Sequence, residues 1–331
     1  HAAVMADSLH STRVAIAAAV AGRGRQRLAL EREGIDYHLA DAAYWRAVEV
    51  ATDPATAEQA DLVAPARELA SARLDTFLAR HPHSTTLSEA RFRRADLDLF
   101  RAREAFQARM AGYLDQTGAG ADAARAMAPL FDGERAAALY EAILRDDPAF
   151  AHSDAVLFNL GMLKADSGQP GAMELLARLV REYPAAAGAQ EAWLRLGDDR
   201  FDAGDHAGSV PHYENAAGGN DPSLAAIALY KLGWARFADD GFAESGVAFS
   251  RLLDLLGDGA GAATRDGQAA PRAGGPANLR EEARDHMVQA LLRAGGARAF
   301  ADHVERVGAR PWDERTLAAM ADQAARYSLD D

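Results

Sequence analysis

Trp193-Leu194-Arg195-Leu196-Gly197 is a stretch of sequence with a counterpart 36 residues to either side. The counterparts end in Leu160-Gly161 and Leu232-Gly233, and each has an aromatic residue two places before its Leu. A glycine-bearing break follows each Leu-Gly pair (Gly168, Gly204 and Gly241), and a second Ala-rich segment comes after the break. Self-similarity at such a period is typical of stacked supersecondary units. The sequence therefore predicts an all-α array of antiparallel helical hairpins.

The Leu-Gly pairs also predict where the two helices of each hairpin cross. A glycine at a crossing lets the backbones approach closely, and a large residue of the partner helix then fills the space. On this interpretation, replacing Gly197 or Gly233 by Leu overpacks the crossing, at a cost of roughly 1–3 kcal/mol.

The pattern around these pairs resembles the tetratricopeptide repeat (TPR) family, which places a bulky residue, Leu-Gly, aromatic residues, Ala and a closing Pro at set positions. The second repeat fits best, with Trp193, Leu196-Gly197, Phe201, Ser209, Tyr213, Ala216 and Pro222. The third repeat follows with Tyr230, Phe237, Ser245 and Phe249, while the first lacks the aromatic residue of its second helix. The resemblance implies a right-handed α-solenoid whose concave face binds segments of other proteins.

On this pattern the chain divides into five segments. Residues 1–81 are a divergent helical region, 82–149 a divergent TPR-like unit with an insertion, and 150–256 three regular repeats. Residues 257–277, rich in Gly, Ala and Pro, are predicted to form a flexible loop. Residues 278–331 are a hairpin followed by one more helix. That helix is either the cap of the array or the first half of an incomplete repeat, which would make the chain part of a longer protein.

One long helix is predicted near the start of the chain, from Leu28 to Val50. Its apolar residues, which stand among charged ones, are Leu28, Leu30, Ile35, Leu39, Ala43 and Val48. Asp53-Pro54 is expected to end it, because the residue before a proline disfavours the helical conformation.

Composition narrows the class of protein. Hydrophobic residues make up 49% of the chain and charged residues 26%, which is the balance of a folded domain, and the formal net charge of −13 argues against binding to nucleic acid. No cysteine is present, so disulfides and thiolate chemistry are excluded. No apolar run approaches the roughly 20 residues of a membrane span. The compartment stays open, and the start at His1 is compatible with a removed signal peptide.

The sequence offers no catalytic constellation. His81-Pro82-His83 is the nearest approach to a metal-binding cluster, but no pair of histidines has helical metal-ligand spacing beside a carboxylate. Phosphate-binding loops and the Gly-x-Ser-x-Gly motif are also missing from the sequence. We therefore assign no catalytic residue, no metal site and no cofactor.

The candidate site is the inner strip of the array. Counting back two places from each repeat glycine gives Asn159, Arg195 and Lys231, which should share that strip. Asn159 resembles part of the carboxylate clamp found in some TPR proteins, but Ala155, Phe158 and Met162 supply neither amide nor positive charge around it.

Four further residues complete the predicted groove. Asp198 and Asp202 are able to accept a basic residue of a partner, while Trp234 and Phe237 offer flat apolar contacts. Two alternatives stay open: the aromatic residues belong to the core between hairpins, and the charged residues form an ordinary solvated face.

These observations predict a noncatalytic scaffold that binds a protein or peptide segment within a larger assembly. The resemblance to bacterial envelope-assembly and motility components favours the cell envelope over the cytoplasm. The alternative is a regulatory or sensor module of a larger enzyme or transcription regulator, whose catalytic domain would lie outside these residues.

Overall fold

The computed structural model describes residues 2–118, 129–257 and 276–329. Within these ranges the chain forms thirteen α-helices and no β-strand. The helices are α1 (Ala2–Thr52), α2 (Ala60–Arg80), α3 (Leu87–Gly118), α4 (Glu134–Asp146), α5 (Ser153–Asp166), α6 (Ala172–Glu182), α7 (Ala189–Asp202), α8 (His206–Ala217), α9 (Pro222–Ala238), α10 (Phe242–Leu256), α11 (Pro276–Ala294), α12 (Ala297–Val307) and α13 (Asp313–Leu329). The predicted all-α class is confirmed for this part of the chain.

The chain divides into two compact units, His1–Gln169 and Pro170–Asp331. The boundary falls between α5 and α6, inside the segment 150–256 that the sequence pattern assigns to three regular repeats. Most of the predicted loop 257–277 lies outside the described residues, and α11 begins at Pro276, two residues before the predicted start.

In the first unit, helices that are neighbours in sequence also pack against each other, from α1 through α5. Where α1 and α2 meet, Leu74 and Phe77 of α2 pack with Ala40 and Ala47 of α1 in one buried cluster. The small side chains of Ala40 and Ala47 let α1 and α2 lie close together, and the Phe77 ring fills the space between the helices.

The predicted apolar face of α1 is only partly correct, since Ala43 packs against the core and Val48 is half-buried. Leu28 is 66% exposed, and Leu30, Ile35 and Leu39 are also exposed, whereas Ala40 and Ala47 are fully buried. The helix also begins at Ala2, much nearer the start of the chain than predicted, because nothing in the sequence before Thr52 interrupts it. In an Ala-rich helix the buried face is chosen by close packing, so the larger aliphatic residues do not mark it.

The second unit stacks its helices in order from α6 to α11, and α12 and α13 then pack against α10 and α11. Tyr213 and Phe249 are fully buried in its core, together with Leu252, Leu253 and Met287. The start of α9 has a capping side chain and a proline. The carboxylate of Asp221 accepts the N–H groups of Ser223 and Leu224 at 2.7 and 3.2 Å, and Pro222 occupies the first position of α9.

The 36-residue period appears directly in the hydrogen bonds that end α5, α7 and α9. In each turn a backbone N–H donates to the carbonyl five residues earlier at 2.8–2.9 Å (Gln169 to Lys164, Asp205 to Arg200, Gly241 to Arg236). The residue before that N–H has a positive φ of 64° at Gly168, 80° at Gly204 and 58° at Asp240. This is the helix-ending motif that favours glycine. In the third turn the left-handed residue is Asp240, directly before the Gly241 of the predicted break.

Replacing Asp240 by Gly is expected to raise the free energy of unfolding by about 1 kcal/mol, because the left-handed conformation costs an L-residue roughly that amount. Urea denaturation followed by circular dichroism measures the change. Asp239→Gly is the matched control, since Asp239 has a φ of −97° and gains nothing from the substitution. A lower stability of Asp240→Gly than of the parent would show that the turn is not strained.

Among the described residues, no helix is both long enough and apolar enough to cross a lipid bilayer.

Candidate functional site

Helix crossings in the second unit place the site. A Cβ atom added at Gly197 would lie 2.6 Å from Cε1 of Tyr213, and one added at Gly233 would lie 2.5 Å from Cζ of Phe249. The aromatic ring of the second helix therefore packs on the bare backbone of the first, and the predicted crossings at these two glycines are confirmed. Because Asp198 directly follows Gly197, the phenol of Tyr213 is carried to its carboxylate.

Asp198 joins three helices. Its Oδ1 accepts a hydrogen bond of 2.8 Å from the Tyr213 hydroxyl of α8 and an ion-pair contact of 2.7 Å from Nζ of Lys231 on α9. The side chains of Asp198 and Lys231 are 24% and 37% exposed, so water still screens this pair. Burial and the hydrogen bond to Asp198 raise the pKa of Tyr213, which therefore stays a protonated donor.

A cavity of about 340 Å³, here called the α7–α9 cleft, opens at this ion pair. It is lined by Asp198, Phe201, Asp202, Tyr213, Lys231 and Trp234. Asp198 and Asp202 are four residues apart and so share one face of α7. The side chain of Asp202 is exposed, and its carboxylate makes no hydrogen bond or ion pair within the described ranges. The cleft therefore combines aromatic walls with an excess of one negative charge.

Trp234 has two roles. Its ring lies edge-on to His286, with centroids 4.4 Å apart, and also contacts Phe249 of the core. Burial lowers the pKa of His286, so the imidazole that supports Trp234 is neutral at neutral pH. Trp234 therefore packs against the core on one side, as one interpretation predicted, and its half-buried remainder lines the cleft.

The structure brings together four of the seven predicted residues, namely Asp198, Asp202, Lys231 and Trp234. Phe237 stands behind Trp234, with ring centroids 5.7 Å apart, and does not line the cleft. Arg195 is half-buried on α7 and is likewise not part of the lining. Phe201 and Tyr213 do line it, although the sequence pattern placed them only as repeat positions.

Asn159 belongs to the first unit, where it has a structural partner. Its Nδ2 donates to the Tyr140 hydroxyl at 3.3 Å, and Tyr140 donates to Oδ1 of Asp96 at 2.7 Å. Burial raises the pKa values of both Tyr140 and Asp96. Asn159 is therefore engaged in an internal polar chain.

The series of hydrogen bonds from Asn159 through Tyr140 to Asp96 resembles the arrangement around Asp198 in the second unit. Asp96 follows the fully buried Ala95 as Asp198 follows Gly197, and Tyr140 reaches it from the next helix as Tyr213 reaches Asp198. The third member stands two residues before a repeat glycine in both cases, as Asn159 and as Lys231. Each unit thus contains an Asp-Tyr pair with a third polar side chain from the following helix, which contacts the Tyr hydroxyl as Asn159 in the first unit and the Asp carboxylate as Lys231 in the second.

No group of three or more His, Asp or Glu side chains in the described ranges is arranged to hold a metal ion. No protein-family model matches the chain, and no curated protein matches it significantly.

Proposed function

We propose that this protein is a noncatalytic scaffold of the TPR type, a right-handed α-solenoid, and that the α7–α9 cleft binds a segment of a partner protein. The observation that carries this proposal is the meeting of Asp198, Asp202, Lys231 and Trp234 at one cavity. Aromatic side chains such as Trp are enriched among the residues that anchor protein interfaces, and charged side chains add specificity for a complementary partner. We further propose that the partner belongs to a multiprotein assembly, with a bacterial envelope or motility complex as the leading candidate.

The dimensions of the cleft support a protein partner. A volume of about 340 Å³ is near the lower end for ligand pockets, and it suits one side chain of a longer segment. The remaining contacts of such a segment would come from the flat helix faces around the cleft. Tyr213 and Lys231 already satisfy one oxygen of Asp198, so the site is ordered before a partner arrives.

Reversing the charge at the open edge of the cleft tests the proposal. Asp202→Lys is expected to lower the recovery of one or more partners by about tenfold, which corresponds to the loss of roughly 1.4 kcal/mol of binding. The measurement is quantitative mass spectrometry of proteins captured by the full chain from a lysate of the source cell.

Asp199→Lys is the matched control, because it makes the same charge change one residue after Asp198, on an exposed position outside the cleft. Equal capture by the parent and both variants would contradict the assignment of the cleft as the binding site.

A further inference from the structure

We propose that the group that enters the α7–α9 cleft is the side chain of an arginine in the partner segment. This inference rests on the proposed function, since it specifies the chemistry that the same cleft recognises. It follows from the distribution of charge, from the aromatic walls and from a comparable arrangement elsewhere in this chain.

The carboxylates of Asp198 and Asp202 in the lining favour the binding of a cation between them. Lys231 and Tyr213 both donate to Oδ1 of Asp198, while Oδ2 accepts no hydrogen bond within the described part of the chain. Asp202, one helical turn further along α7, has no cationic partner there either. A cation between the two carboxylates would pair with both, since Lys231 contacts only Oδ1 of Asp198.

The shape of the guanidinium group favours arginine over lysine as the side chain bound in the cleft. A guanidinium group is planar, donates in several directions and stacks on aromatic faces, whereas an ammonium group is a compact point charge that holds its water more strongly. Phe201 and Trp234 contribute aromatic rings to the lining, and Asp198 and Asp202 provide acceptors on one side of α7. The planar group is therefore better suited than an ammonium group to bridge two carboxylates while it stacks on a ring.

The first unit holds an arginine in this manner. The guanidinium carbon of Arg67 lies 3.6 Å from the centroid of the Phe100 ring. Its Nη1 also donates to both oxygens of Glu104, at 2.9 Å each. Phe100 and Glu104 are four residues apart on α3, so a ring and a carboxylate on one helix face are enough to fix an arginine from another helix. The α7–α9 cleft presents the same two kinds of group without an arginine of its own.

The test uses three tripeptides, Gly-Arg-Gly, Gly-Lys-Gly and Gly-citrulline-Gly, each acetylated and amidated. Citrulline has nearly the shape of arginine but no charge. The full chain is labelled with ¹⁵N at its tryptophans, and the indole signal of Trp234, identified with a Trp234→Phe variant, is followed by NMR during titration. We expect the arginine peptide to shift this signal, the lysine peptide to bind about tenfold more weakly, and the citrulline peptide to have no effect.

Variants then separate the site from general acidity. Asp202→Asn is expected to weaken the arginine peptide about tenfold, and Asp199→Asn to leave it unchanged. Lys231→Met is expected to strengthen it, because the internal cation no longer repels the incoming one. Equal shifts with citrulline, or equal affinities of the Asp202→Asn and Asp199→Asn variants, would overturn the inference.

The two proposals fail in different ways. If Asp202→Lys abolishes capture of a partner while no arginine peptide shifts the Trp234 signal, the scaffold function stands and the arginine inference is wrong. If the arginine peptide binds as expected but capture is unchanged in Asp202→Lys, the cleft is an arginine site and the proposed scaffold role of the cleft is wrong.

Discussion

Replacing Phe249 by Ala is expected to lower the free energy of unfolding by roughly 3–5 kcal/mol. Phe249 is fully buried, and its ring lies on the bare backbone of α9 at Gly233. Removing the ring leaves a cavity between α9 and α10 that neither helix is able to close, since each also packs against other helices. Urea denaturation of the full chain, followed by circular dichroism, measures the loss.

The complementary change is Gly233→Leu, which is expected to cost roughly 1–3 kcal/mol by overpacking the same contact. A new Cβ would lie 2.5 Å from the Phe249 ring, and a fully buried ring has no free space into which it could move. Gly112→Leu on α3 is the control, because a Cβ at Gly112 meets no atom within 4 Å.

The double variant Gly233→Leu with Phe249→Ala decides whether the two positions form one contact. The introduced leucine side chain would occupy space that the ring of Phe249 has vacated, so the double variant should be more stable than the sum of the single losses by about 1–3 kcal/mol. Strict additivity would show that Gly233 and Phe249 act independently, and the pairing of a small residue with a ring would then not explain the crossing.

The sequence predicted these crossings because its repeats can be aligned with one another. The spacing of 36 residues equates Gly197 with Gly233 and Tyr213 with Phe249, and the structure places each ring on the corresponding glycine. The same spacing recovers the turns that end α5, α7 and α9. The third of these turns has Asp240 at its left-handed position, since a turn that favours glycine still accepts Asp when the surrounding helices fix its conformation.

Outside the repeats the sequence was a poor guide to the buried face. Leu28 was predicted to face inward on α1 and is exposed, whereas Ala40 and Ala47 are buried. Hydrophobic periodicity ranks faces by residue size and apolarity, but helices in close contact select the smallest side chains. An Ala-rich sequence therefore hides its packing face among many equivalent residues.

The repeat spacing predicted that Lys231 and Trp234 of α9 share a groove with Asp198 and Asp202 of α7, but it did not predict the contacts between them. The spacing of Asp198 and Asp202 places them on one face of α7, but it does not reveal that Lys231, 33 residues later, lies 2.7 Å from Asp198. Tyr213 was overlooked because it occupies a packing position. One signal was available, since the equivalent residue is Phe249 and a buried phenol, unlike a phenyl ring, needs a hydrogen-bond partner.

Replacing Arg94 by Met is expected to lower the free energy of unfolding by roughly 3 kcal/mol, because it removes one member of a buried ion-pair network. The Arg94 side chain is only 2% exposed. Its Nε lies 2.8 Å from Oδ1 of Asp75, its Nη1 pairs with Asp98, and Arg135 contacts the same two carboxylates. The variant would leave the mostly buried carboxylate of Asp98 with Arg135 alone, at 3.3 Å.

Arg27→Met is the control, since it also removes an arginine from an ion pair. Arg27 and Glu31 are 83% and 53% exposed, and pairs of this kind contribute about 0.5 kcal/mol or less. Urea denaturation compares the two variants with the parent. If both lose the same small amount, burial of Arg94 adds nothing to the strength of its ion pairs.

The pH dependence distinguishes loss of charge pairing from loss of packing. Burial tends to raise the pKa of Asp75, but the hydrogen bond and charge of Arg94, assisted by Arg135, outweigh it and hold this pKa below its ordinary value. A lowered pKa stabilises the folded state above the unfolded pKa of about 3.9, and this contribution is lost as pH falls through the folded value. The difference between parent and Arg94→Met should therefore be largest near neutral pH and shrink below about pH 4. A difference that stays constant from pH 7 to pH 3 would mean that Arg94 stabilises α3 by packing its aliphatic stem and not by its charge.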